Sequence, residues 1–468
     1  MTFNSFVFIW IFLPTVLMGV YLTHKRGSNL FLLVMSLLFY AWGEPKYIVL
    51  LLLSITINYC AGRIIESTDD KNRKKILTGL TIAVNLAVLG YFKYFNFFTE
   101  NINQLFLTDI IPPRKIALPI GISFYTFQSI SYIADLYHGT IEAQRSWVDL
   151  ALYISLFPQL VAGPIVKYKN IDKYLHNRTI NICDITHGLK RFCFGLGKKV
   201  ILANTLGVTV DSILSKPIGE ISWVLCWSAA AFYMMQIYFD FSGYSDMAIG
   251  LAETLGFRFP ENFDLPYIST SVREFWRRWH ISLSAWFRDY LYIPLGGNRK
   301  GKIRTVINLA VVFLATGLWH GAQWNFILWG AYHGFFLITE RSLPSDDQCK
   351  RWKKYLKHAY TLLVVCIGWV LFRADNMNTA FSQIRQMFVF QGKGNWSFSE
   401  IVDPVTIIVF CISVLLSLGA GKAVKKYVAR SSRTAAAVLS DIMAVLCLFI
   451  SIVMLANAAH DPFIYFRF

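Results

Sequence analysis

The sequence predicts an all-α, polytopic membrane protein with about eleven crossings, each needing roughly 20 apolar residues. Three observations carry this. The 468 residues are 55% hydrophobic and 16% charged, against about 25% charged for a soluble domain. Mean hydropathy is +0.46. The chain holds 38 Phe, 23 Tyr and 14 Trp, too much apolar surface for a water-soluble globule to cover. These numbers exclude disorder, a collagen-like fibre, a secreted disulfide scaffold and a soluble enzyme. Beta-barrel alternation and a repeat of fixed period are both missing from the sequence, which reads as one transmembrane domain over residues 1–468.

The apolar runs follow in order: Phe3–Tyr21, Leu30–Trp42, Tyr47–Ala61, Ile76–Phe98, Ile116–Tyr137, Val148–Ala162, Phe192–Leu214, Ser222–Ile249, Val306–Trp319, Trp324–Thr339, Ala359–Phe372, Val405–Leu418 and Ala435–Ala456. Several are short for a full crossing and are expected to be tilted, broken or re-entrant. Met1–Tyr21 has no basic leader and no small-residue cleavage site, so it reads as an uncleaved first span.

The net charge is +17. Lys and Arg cluster in short loops between apolar runs, which points to topology and anionic lipid headgroups rather than nucleic acid. The basic loops His24–Asn29, Glu66–Lys75, Gly297–Arg304, Arg341–Lys354 and Lys422–Arg433 are assigned to the cytoplasm. Gly43–Lys46, Thr99–Arg114 and Ala374–Asp403 then face outward, as do both chain ends. Residues 116–190 do not resolve this way. The Gly163–Arg191 loop is basic, yet counting spans puts it outside, and Pro119, Gly121, Pro158, Gly163 and Pro164 interrupt the stretch. One segment there is expected to be re-entrant, since broken backbone at membrane depth needs protein or a wet cavity around it.

Cysteine gives little. The eight cysteines form no C-x-x-C pair and no Cys/His cluster at zinc spacing, so no metal site is expected. Nucleotide loops, H-E-x-x-H and the G-x-S-x-G elbow are also missing. Chemistry here would rest on histidine.

The polar signal lies between Tyr233 and Gly334. Asp240 and Asp246 sit inside an apolar run, where a charge costs at least about 2.5–3.5 kcal/mol. They form either a clasp between helices or the wall of a site. Glu274–Arg299 interleaves Trp and Arg. It is too polar to span and should lie in an interface or dip partway in. It is either a Trp-anchored interfacial helix or a cationic, aromatic floor for an acyl donor, since arginine suits phosphate and carboxylate. His320 ends an apolar run of about fourteen residues, and Gly317/Gly321 and Gly330/Gly334 are G-x-x-x-G pairs for close helix approach. His320 is either a hydrogen-bonded core residue or a base, because burial disfavours imidazolium. His333 is a weaker candidate of the same kind. His24, His138, His176, His187 and His358 read as solvated flanks.

At these residues the chain resembles the membrane-bound O-acyltransferase (MBOAT) family, and within it the bacterial alginate O-acetyltransferase (AlgI-like) branch. The carrying segments are Tyr238–Met247 (YFDFSGYSDM), Glu274–Ser284 (EFWRRWHISLS), Arg288–Arg299 (RDYLYIPLGGNR) and Gly317–Trp324 (GLWHGAQW). Phe3–Tyr47 with LFYAWGEPKY, Ser155–Pro164 (SLFPQLVAGP) and Phe463–Phe468 (FIYFRF) add to it, so the likeness spans nearly the whole chain. It implies a ring of transmembrane helices around a funnel or tunnel, with re-entrant helices in the floor. It implies His320 as the catalytic histidine and His280 as a second site residue. Trp276, Arg278, Asp240, Trp319 and Gln323 are the donor- or tunnel-binding candidates.

The resemblance further implies transfer of an acyl group, foremost acetyl, from a cytoplasmic thioester to a hydroxyl outside. The donor is acetyl-CoA or an acyl carrier protein, a substrate rather than a bound cofactor. The acceptor is an envelope polysaccharide or an SGNH-type extracytoplasmic partner. The expected location is the bacterial cytoplasmic membrane, in contact with its lipids. D-alanyl transfer toward teichoic acids, or export of a glycan or lipid without chemistry, are the alternatives.

Overall fold

The computed structural model describes residues 1–23, 25–107, 111–112, 114, 116–342, 351–390 and 394–457, with the side chains of residues 25, 26 and 351 excepted. The FIYFRF ending lies outside the described residues, as do His24, the middle of the Arg341–Lys354 loop, and parts of Thr99–Arg114 and Ala374–Asp403. Among the described residues the regular elements are all helices, with no strand.

Six helices are long and apolar enough to cross a membrane on length and composition: Ile48–Ser67, Lys71–Phe106, Ile182–Leu214, Gly301–His320, Trp352–Arg373 and Arg433–Asn457. A seventh arises if Pro404–Ser417 and Ala420–Ser431, bent by 66°, count as one span. The bend sits at Gly419, whose φ of 94° is left-handed, a conformation glycine adopts without a Cβ penalty. Lys422–Arg433, read from sequence as a loop, is therefore mostly helix. Likewise a short helix, Tyr168–His176, forms inside the basic Gly163–Arg191 segment, and Lys71–Phe106 runs on past the apolar run that announces it.

The chain divides into two compact units: residues 1–192 with 247–260, and residues 193–246 with 261–468. In the first, Phe3, Phe8, Phe12, Phe39 and Phe157 form an aromatic cluster. Asn58 and Asn85 exchange amide hydrogen bonds of 3.0 and 2.9 Å between two apolar helices, polar glue of the kind that joins helices in lipid. The stretch expected to be broken is broken. Trp147–Ser155 stops at Leu156, and Phe157–Leu160 resumes for one turn. The Phe157 N–H donates to Ser36 Oγ at 3.2 Å, which satisfies a backbone donor the break exposes. Gly121 (φ 76°) caps the preceding helix, Ile122–Tyr137, and a Cβ there would sit 2.5 Å from the Leu160 carbonyl oxygen.

The second unit holds the polar motifs. The Ile182–Leu214 helix passes through a π-helical segment, Lys198–Asn204, which places consecutive lysines opposite the Trp223–Thr254 helix. Lys198 pairs with Asp246 at 2.5 Å and Lys199 with Asp240 at 2.7 Å. Gly243 lies between the two aspartates, and a Cβ on it would meet the Gly195 carbonyl oxygen at 2.7 Å. A small residue thus lets the helices approach closely enough for the clasp to form.

Candidate active site

His320 is the last residue of the Gly301–His320 helix and is 3% exposed. That helix and Trp324–Ser342 form a tight hairpin. A Cβ on Gly317 would lie 2.3 Å from the Phe326 carbonyl oxygen, and one on Gly330 would lie 2.3 Å from the Phe313 carbonyl oxygen. Only glycine permits backbones this close. The hairpin sets His320 among aromatic edges: Trp319 at 5.0 Å, Trp329 at 5.0 Å and Phe372 at 5.2 Å between ring centroids. Asn325 ties the turn down by donating to the Ala374 carbonyl at 2.7 Å.

His280 lies at the junction of two short helices, Val272–Arg278 and Ile281–Phe287. Its φ of 44° and ψ of 54° are left-handed, a strain on the order of 1–3 kcal/mol for a residue with a Cβ. Cross-bonds hold it there. Asp264 N donates to Arg278 O, and Ile281 N donates to Asn262 O, each at 3.0 Å. His280 is fully buried. It meets Phe241 edge-on at 4.6 Å and Trp319 at 6.0 Å. Trp319 is therefore in ring contact with both histidines.

A cavity of about 1310 Å³ lies in the same unit, lined by Trp276 and Thr316 rather than by either histidine. Its floor is apolar, with Trp276, Leu283, Phe287, Val312, Phe313 and Leu337. Its rim carries Arg273, Arg277, Arg288, Arg341 and Lys357, with Glu340 the carboxylate among the lining residues. Thr316, one helical turn before His320, lines it too. Trp276 connects cavity and histidine: it packs on Trp329 at 5.6 Å, and Trp329 packs on His320. The indole Nε1 of Trp276 is buried with no hydrogen-bond partner among the described residues. Glu340 receives the Val272 and Arg273 N–H groups at 2.7 and 3.0 Å, so it caps the helix bearing Trp276, Arg273 and Arg277.

The structure brings His320, His280, Trp319 and Trp276 into one neighbourhood. Arg278 faces another way and pairs with Glu274 at 3.0 Å and Asp264 at 3.1 Å. Asp240 lies in the Lys199 clasp, with both side chains 3% exposed or less. Gln323 is exposed on the hairpin turn. His333 is buried, touches Trp276 and Trp329, and has neither ring nitrogen hydrogen-bonded among the described residues. Sequence reasoning singled out Arg278 and passed over Arg273 and Arg277. The signal was present, because positions 273, 276 and 277 share a helix face while 278 pairs with 274. Asn262 also went unnoticed, and nothing local marks it.

The described residues thus combine several membrane-capable helices, two neighbouring buried histidines and an amphipathic cavity. The family model for MBOAT, the membrane-bound O-acyltransferase family, matches residues 142–345. The probable alginate O-acetylase AlgI of Pseudomonas putida is 45% identical over 409 residues, covering 86% of this chain and 82% of the relative. The peptidoglycan O-acetyltransferase of Helicobacter pylori is 35% identical over 424 residues, covering 83% and 80%. The teichoic acid D-alanyltransferase of Bacillus subtilis is 28% identical over 286 residues, covering 56% and 70%. The chain belongs to the MBOAT family and is a membrane O-acyltransferase.

Proposed function

We propose that the protein transfers an acetyl group from a cytoplasmic thioester, acetyl-CoA or an acyl carrier protein, to a hydroxyl of a cell-envelope polysaccharide or of an SGNH-type extracytoplasmic partner. It does so in a bacterial cytoplasmic membrane, through a ring of about eleven crossings around a funnel. The observation that carries this reading is the buried His320, one helical turn along from Thr316, which lines a cavity with an apolar floor and a cationic rim. That cavity suits an acyl chain carried by a polyanion, with Arg273 and Arg277 on the face that opens to it. The acetylating relatives at 45% and 35% identity support acetyl over D-alanyl as the group moved.

In this mechanism neutral His320 accepts the hydroxyl proton as the oxygen attacks the thioester carbonyl. The new C–O bond forms and the C–S bond breaks. The leaving thiolate then takes the proton from the imidazolium. Trp319 and Trp276 wall the path and exclude water, which strengthens the electrostatics at the reacting carbon. His280 relays or orients from the far side of Trp319. Asp240 contributes through its clasp with Lys199, which holds the helix carrying Phe241.

The test is labelled acetyl transfer from acetyl-CoA in proteoliposomes, for the wild type and His320→Ala, with envelope glycans and a candidate partner outside. Transfer by the wild type that is lost in a folded variant is expected. Equal transfer by both would remove His320 from the chemistry.

A further inference from the structure

We propose that Asn262 is a positioning residue for His280: its side-chain oxygen holds the imidazole with the proton on Nδ1, so that Nε2 presents a lone pair to the site. This rests on the reading of His280 as a site residue and fixes which of its possible roles it can fill.

The argument starts from the amide. Asn262 is fully buried in the second unit. An amide's oxygen and nitrogen exchange places on a flip, so its orientation needs a chemical witness. Ser282 supplies one. Its backbone N–H points at the Asn262 side-chain atom assigned as Oδ1, at 3.2 Å. A backbone N–H can only donate, so that atom is the oxygen. The Ser282 hydroxyl reaches the same oxygen at 2.8 Å. The other side-chain atom, Nδ2, donates to Ser245 Oγ at 3.1 Å on the Trp223–Thr254 helix. With both ends of the amide engaged, its orientation is set.

The same oxygen lies 3.2 Å from His280 Nδ1. An amide oxygen has no proton to give, so Nδ1 carries the hydrogen, and in a neutral imidazole Nε2 then does not. Which ring nitrogen acts is decided in this way by the bond the other one makes. A His280 held so is a proton acceptor at Nε2. It can take part in a relay or orient a hydroxyl. It cannot polarise a thioester carbonyl by donating from that nitrogen.

Asn262 is also placed so that its side chain can be tested by itself. The backbone bonds that brace the left-handed turn, Ile281 N to Asn262 O and Asp264 N to Arg278 O, survive any side-chain change at 262. Asn262→Leu removes the amide oxygen, and Asn262→Asp keeps an acceptor for both Ser282 and His280.

The experiment uses the full chain in lipid nanodiscs, labelled with ¹⁵N-histidine, whose spectra separate protonated from bare ring nitrogens. The His280 signal is the one lost in His280→Gln. The wild type is expected to show His280 with Nδ1 protonated and Nε2 bare, and Asn262→Leu to shift population to the other tautomer. In the acetyl-transfer assay, Asn262→Leu is expected to lower kcat by about 10–100-fold with the donor KM unchanged. Asn262→Asp should keep the wild-type tautomer and restore part of the rate, even where the leucine variant fails to fold. A wild-type His280 protonated on Nε2, or a tautomer unmoved in Asn262→Leu, would overturn the inference. So would full kcat in Asn262→Leu alongside a His320-dependent wild type, and that result would leave the acyl-transfer reading standing. Absence of acetyl transfer by the wild type would instead strike that reading, while the spectra still decide the tautomer.

Discussion

The surroundings of the two histidines differ in what stands out. His320 ends a regular helix and is fixed by shape: glycines that let two backbones touch, and aromatic rings on three sides. His280 sits in irregular, left-handed backbone and is fixed by polarity: Asn262, Ser282 and Ser245 in a buried hydrogen-bond hub, beside a helix clasped by the Lys199–Asp240 pair. Hydrogen bonds choose a tautomer, but they must be fully satisfied to be tolerated in a buried place.

The largest expected effect lies on the packed side. His320→Ala should lower kcat by about 10²–10⁴-fold, read as initial rates of labelled acetyl transfer per folded protein. Next comes the polar side. Lys199→Met removes a buried ion-pair partner of Asp240 and should cost about 3–5 kcal/mol of stability. The double variant Lys199→Met/Asp240→Leu should recover most of that in the same denaturation series. A single variant as stable as wild type would deny the clasp its part in the comparison.

Gly317→Ala would put a methyl against the Phe326 carbonyl, and overpacking of this kind costs about 1–3 kcal/mol. Thermal unfolding in detergent should report it. Activity should fall with it, because the hairpin carries His320. The smallest effect is expected at Arg278→Gln. Its pairs with Glu274 and Asp264 are partly solvent-exposed, so stability should change by about 1 kcal/mol or less. Donor KM for that variant should move less than for Arg273→Gln/Arg277→Gln. A reversed order would return Arg278 to the donor path.

The same contrast explains what could be read from the sequence. Shape is written locally. The G-x-x-x-G spacing, the apolar run ending at His320 and the hydrophobic runs all lie within one or two helices, so the helical class and the placement of His320 were legible. The break after Trp147–Ser155 was legible too, from Pro158 and its neighbours. Polar pairing is written across distance. Lys199 finds Asp240 through a π-helical segment that no periodicity announces. Asn262 reaches His280 through a left-handed turn that no residue type at 280 predicts. Arg278 drew attention by standing beside His280 in the motif, whereas the cavity rim follows helix faces and collects Arg341 and Lys357 from distant helices.

The cationic rim has a consequence for the order of events. A net positive charge around a low-dielectric mouth draws in polyanions from a distance, and salt screens that pull within about 8 Å at physiological ionic strength. Raising the ionic strength should therefore slow capture of an anionic donor while leaving untouched the rate of a donor already seated on the apolar floor. In the proposed reaction, arrival depends on the cationic rim, and ionic strength acts on that step alone.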